Sequence, residues 1–97
     1  MTTPKFSLGQ VVATPGALEA LAAAGLSADA LLARHLAGDW GDLDAEDKRL
    51  NDEAVLDGSR IVSAFTLPTG ERLYCITEAE NDQGQRASTC LLRREEY

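Results

Sequence analysis

The hydrophobic pattern of this chain changes once, at Gly58-Ser59-Arg60. Up to that point apolar residues recur three and four positions apart, the spacing of one helical face; beyond it they alternate, the spacing of a strand. With 97 residues there is room for one domain, so the two halves must share a core. The pattern predicts an α+β fold: three N-terminal helices packed on a three- or four-stranded antiparallel sheet. Residues 1–97 read as one domain, with 1–7 a flexible arm.

Each helix is bracketed by its own start and stop signals. Thr14-Pro15 is an N-cap followed by proline at the first helical position, and Gly25 ends that helix. Ser27 caps the second, whose apolar face is Leu31, Leu32, His35 and Leu36, with Gly38 as its left-handed stop. Asp42 or Asp44 caps the third, with Leu43, Leu50, Ala54 and either Val55 or Leu56 facing inward before Gly58. A short strand is also readable around Val11 and Val12. In the second half Ile61, Ser63, Phe65 and Leu67 share one side of a strand, and Val62, Ala64 and Thr66 the other. Pro68-Thr69-Gly70 makes a hairpin turn. Leu73, Cys75 and Thr77 continue the alternation, Glu80 to Gln85 form a polar loop, and Ala87 to Leu92 complete the set.

Between the second and third helices lies His35-Leu36-Ala37-Gly38-Asp39-Trp40-Gly41-Asp42, holding the only histidine and the only tryptophan. The structural expectation is a junction in which Trp40 anchors the helices to the sheet while Gly38 and Gly41 make the turns. A chemical reading exists beside it. An aspartate that orients His35 would raise its pKa and allow proton transfer near neutral pH, making His35 and Asp39 catalytic candidates. His35, Asp39 and Asp42 could also offer nitrogen and oxygen ligands to a divalent metal, although no zinc or calcium spacing is present. Nothing in the sequence calls for a cofactor.

Charge points towards binding. Sixteen acidic residues against nine Lys and Arg give a formal charge of −7, which argues against direct nucleic-acid binding. The acids concentrate between Gly38 and Asp57. Asp39, Asp42, Asp44, Asp47 and Asp52 form the expected docking surface for an unidentified protein partner. Arg60, Arg72, Arg86, Arg93 and Arg94 belong to the sheet half, where they would balance those acids internally or across a dimer interface. A nucleic-acid-binding sheet would need several of them on one exposed face among accessible aromatics. Homodimerisation is expected because sheet edges need protection. Cys75 and Cys90 lie in separate strand-like runs and read as free thiols. No signal-like N-terminus and no apolar run of membrane-spanning length are present, so the expected location is cytoplasmic, with no membrane partner.

Several motifs taken together carry a resemblance. They are the His35 to Asp42 stretch, Glu46-Asp47, Asn51-Asp52-Glu53-Ala54, Gly58 to Phe65, Ile76-Thr77-Glu78-Ala79 and the terminal Glu95-Glu96-Tyr97. The combination resembles a family of small, uncharacterised bacterial proteins often encoded on plasmids and integrated elements. It spans roughly residues 8 to 97. The chain departs from the family in a longer Asn81 to Arg86 loop and in Leu92-Arg93-Arg94, where relatives approach Glu-Glu-Tyr through a proline. The resemblance implies a role in host defence or plasmid maintenance, as a regulatory or protein-interaction module. The alternative it admits is a small hydrolase or metal-dependent enzyme with its site near the His35–Asp42 turn, where the resemblance makes the Gly38 to Asp42 turn, Arg60 and Glu78 the first candidates.

Overall fold

The computed structural model describes residues 4–97, and the fold is α+β. In chain order the elements are β1 (Gln10–Ala13), α1 (Pro15–Ala24), α2 (Ala28–Leu36), α3 (Ala45–Asp57), β2 (Ile61–Thr66), β3 (Arg72–Thr77) and β4 (Ser88–Arg93), followed by a 3-10 turn over Arg94–Glu96. The helix caps form where the sequence places them. Thr14, Ser27 and Asp44 accept hydrogen bonds from the backbone N–H groups of Ala17, Ala30 and Asp47, and Gly25 and Gly58 close α1 and α3 in the left-handed conformation.

The sheet is where expectation and structure part. It is mixed, in the order β1-β4-β3-β2. β2, β3 and β4 form the expected antiparallel meander, but β1 pairs with β4 in parallel, Gln10 opposite Ser88 and Ala13 opposite Leu91. The helices are therefore not all N-terminal to the sheet: one strand precedes them. The reason is topological. The three helices carry the chain from β1 across the sheet to β2, and the meander then steps back until β4 lies beside β1 in the same direction.

The pleat sorts the strands into two faces. Ile61, Ser63, Phe65, Leu73, Cys75, Thr77, Thr89 and Leu91 point inward and are buried. Ala17, Ala20 and Leu21 of α1 and Leu31 and Leu32 of α2 join Phe65, Leu73, Cys75 and Leu91 in the main core. Trp40, Ala54 and Ile61 form a second core beside it, with Phe6, Leu43 and Val55 packed against it. Lys5 and Phe6, expected in a flexible arm, are docked. Lys5 N–H donates to Leu36 O at 3.0 Å, and the Phe6 ring stacks on Trp40 with centroids 6.1 Å apart. Residues 1–3 of that expected arm lie outside the described residues.

α3 runs along the outer edge of β2 and buries Asn51 and Ala54, whereas Leu50 and Leu56 face solvent. Leu43, Ala54 and Val55 thus face inward as expected, but Leu50 is displaced from that face. Asn51 is the reason: its amide donates to Val62 O at 2.7 Å and accepts from Val62 N–H at 3.2 Å, as a neighbouring strand would. The Trp40–Asp42 turn continues this edge cover. Ala64 N–H donates to Trp40 O, Asp42 N–H donates to Ala64 O, and Thr66 N–H donates to the Asp42 carboxylate. Gly41 sits between these bonds at φ +75°, and a Cβ there would lie 2.0 Å from Ala64 O, so only glycine fits.

Candidate functional site

His35 was the residue most suggestive of catalysis, and the structure gives it a closed environment. It is 0% exposed, its ring edge-on to Phe6 at 5.1 Å and to Trp40 at 5.8 Å. Its Nδ1 lies 2.5 Å from Ser63 Oγ and its Nε2 2.9 Å from Thr77 Oγ1. Thr77 Oγ1 lies in turn 2.7 Å from Thr89 Oγ1, whose hydroxyl donates to Leu8 O at 2.8 Å. The backbone carbonyl can only accept, which orders the whole chain. Thr89 spends its proton on Leu8 O, Thr77 donates to Thr89, His35 Nε2–H donates to Thr77, and Ser63 donates to Nδ1. His35 is thereby held as the neutral Nε2–H tautomer. Burial, with the nearby Arg86 charge, lowers its pKa from 6.5 to about 4.

The other members of the proposed acid–base and metal constellations do not converge on it. Asp39 is turned to Arg34, accepting from Nε at 2.7 Å and from Nη2 at 3.3 Å; that bond holds its carboxyl below the usual range. Asp42 receives Thr66 N–H, which lowers its pKa likewise. Arg60 reaches across the opposite face of the sheet to Tyr97, its Nη2 donating to the phenol oxygen at 2.9 Å. Glu78 is exposed, and its backbone carbonyl accepts from Arg86. Trp40 is the expected anchor, 3% exposed, with its indole N–H donated to Asp52 at 3.0 Å. Gly38 and Gly41 take the left-handed turns expected of them.

Two arrangements were not foreseen in the sequence. The first is Arg86, read as one of several sheet-half cations. Its guanidinium is buried and donates to Ser59 O at 2.8 Å, Glu78 O at 2.9 Å and Ala54 O at 3.1 Å. It thus clamps the C-terminus of α3, where carbonyls are left over, to the start of β2 and the end of β3. An arginine in a polar loop gives no sequence signal of such a role.

The second is a groove of about 830 Å³ on the outer face of the sheet, between α3 and the C-terminal turn. Val62 and Tyr74 lie on its floor. Leu43, Asp44, Asp47 and Leu50 line the α3 wall; Arg60, Arg94 and Tyr97 line the other, with Asp42 and Arg72 at one end. Tyr97 is 63% exposed and meets Tyr74 edge to face at 5.4 Å. Arg34, Arg49, Arg86 and Arg93 each pair with a carboxylate, but Arg60, Arg72 and Arg94 form no ion pair among the described residues. Three aspartates and three arginines therefore line one groove without pairing across it. Of the five aspartates of the expected docking surface, Asp42, Asp44 and Asp47 lie here. Asp39 and Asp52 are engaged with Arg34 and Trp40.

The two thiols are kept apart by the pleat. Cys75 points into the core and Cys90, opposite Ile76, to the outer face; both are free. Among the described residues, no single helix is long and apolar enough to cross a membrane. No protein-family model matches the chain, and neither the characterised proteins nor the solved structures compared with it give a match.

Proposed function

We propose that this chain is a protein-interaction module, of the regulatory kind carried by plasmids and integrated elements, and that it receives a segment of its partner in the groove between α3 and Tyr97. The observation that carries this reading is the unpaired charge: three aspartates and three arginines line the groove beside two tyrosines, with no ion pair between them among the described residues. A segment bearing both acidic and basic side chains satisfies both walls at once. A polyanion would meet the aspartates, and a purely basic segment the arginines. Tyrosine and arginine are also the residues that most often dominate the energy of protein interfaces. The volume suits a peptide segment as well as a small molecule.

The test uses side chains whose loss leaves the fold intact. Asp52 is unsuitable because it holds Trp40. The carboxylate of Asp47 and the guanidinium of Arg94 make no hydrogen bond within the chain's described residues. Asp47→Lys and Arg94→Glu are each expected to weaken partner capture from a bacterial lysate by roughly tenfold or more, the size of effect seen when like charges are brought together at an interface. Binding is then measured with the purified partner. Capture that is equal for the wild type and both variants sinks the groove assignment. Tight binding of a single-stranded oligonucleotide, lost in Arg94→Glu, would replace it with nucleic-acid recognition.

A further inference from the structure

The two edges of the sheet are treated differently. On β2 every outward backbone group described above has a partner: the Asn51 amide at Val62, the Trp40–Asp42 turn at Ala64, and the Asp42 carboxylate at Thr66. On β1 the groups directed at β4 belong to alternate residues. Gln10 N–H donates to Ala87 O and Thr14 N–H to Leu91 O, each at 3.0 Å. In a parallel ladder of this register, Val11 and Ala13 turn their N–H and C=O groups away from the sheet. Val11 and Val12 are each 43% exposed. Natural sheets blunt an open edge with lysine, proline within the strand, a bulge or a covering segment. Among the described residues β1 has none of these: its sequence is Gln-Val-Val-Ala.

We infer that β1 is a self-association edge, and that its occupant is β1 of a second copy of this chain, paired antiparallel. Two features favour a second copy. First, Phe6 to Leu18 is the longest run of the chain without a charged side chain, so two copies, each carrying −7, meet where neither presents charge. Second, the outward groups are self-complementary. With the two-fold axis at Val12, Val11 of each copy exchanges both backbone bonds with Ala13 of the other, giving four bonds. Shifting the axis to Val11 or Ala13 sacrifices bonds, because Gly9 leaves the strand at φ +62° and Pro15 has no N–H. In the favoured register, Val12 faces Val12 as a non-hydrogen-bonded pair, whose Cα atoms lie roughly 4.5 Å apart. The product is a continuous eight-stranded sheet.

That register has a direct test. Cysteine residues on such a pair lie within the Cα range a disulfide requires. With Cys90, the neighbour of Val12 on β4, replaced by serine, Val12→Cys is expected under mild oxidation to form a covalent dimer on a non-reducing gel. The wild type, which retains Cys75 and Cys90, and Gln10→Cys, which would face Thr14, are expected not to. Val11→Pro removes an outward N–H and should abolish the cross-link when added to Val12→Cys. Val12→Lys places two ammonium groups on the axis and should weaken association by roughly tenfold or more in sedimentation equilibrium, without depending on a proline being tolerated. The inference is overturned if folded Val12→Cys cross-links no better than the wild type. It is also overturned if the wild type sediments as a monomer at its highest soluble concentration, or if Val12→Lys associates as the wild type does.

Discussion

At the scale of single residues, His35 shows how a reactive-looking side chain becomes structural. Every polar atom it owns is committed to a chain of donors that ends on Leu8 O, and aromatic rings close over it. Its lowered pKa makes it a pH-dependent support. Above the unfolded value of 6.5 both states are neutral and its full contribution is present. As the pH falls towards about 4 the unfolded chain binds the proton first, so stability declines through that window. The loss amounts to about 3 kcal/mol once both values are passed. Nitrogen NMR of the imidazole should report the Nε2–H tautomer at neutral pH and a titration midpoint near 4; a midpoint above 6 would contradict the closed network. The sequence placed His35 on the apolar face of α2, which is correct. The hydroxyls that hold it, on Ser63, Thr77 and Thr89, come from three separate strands, and residue spacing says nothing about their convergence.

At the scale of elements, α3 acts as cover for an edge strand more than as a core helix. Its inward position is taken by Asn51, whose amide mimics the backbone of an absent neighbour. Asn51→Ala should cost roughly 1–3 kcal/mol, since it leaves the partly buried N–H and C=O of Val62 without partners. The urea midpoint measures this, and hydrogen exchange at Val62 should quicken beyond that at Cys75 in the middle of β3. The helix boundaries were legible because caps are local: Thr14, Ser27, Asp44, Gly25 and Gly58 act within a few residues of themselves. The place of Leu50 was not, because an apolar side chain suggests the inner face while the buried amide of Asn51 takes it. The same holds for β1. Its apolar run marks a strand, but only the return of β4 decides which strand it joins and in which direction.

At the scale of the molecule, the sheet divides the chain into an inner core and an outer surface, and the cysteines report on the two separately. Burial pushes the Cys75 thiol up to about 12 and raises Cys90 as well, but Cys90 is only partly covered. Thiol reagents should modify Cys90 in the native protein and Cys75 only when the whole domain unfolds; equal native rates would mean that the core opens locally. The groove was partly visible in advance. The acids near Asp44 and the arginines of the sheet half stood out, yet which of them share a face depends on the strand register, which places Arg72 and Arg94 with Tyr74 and sends Arg93 to Gly16 and α1. The pairing of β1 with β4 also governs the order of events during synthesis. Gln10 has no partner strand until Ser88 has been made, so β1 waits unpaired while the three helices and the first two strands of the meander are synthesised. Until then the valines of β1 have no sheet to join, so the interval between translation of residue 10 and residue 88 is one in which they are open to other chains.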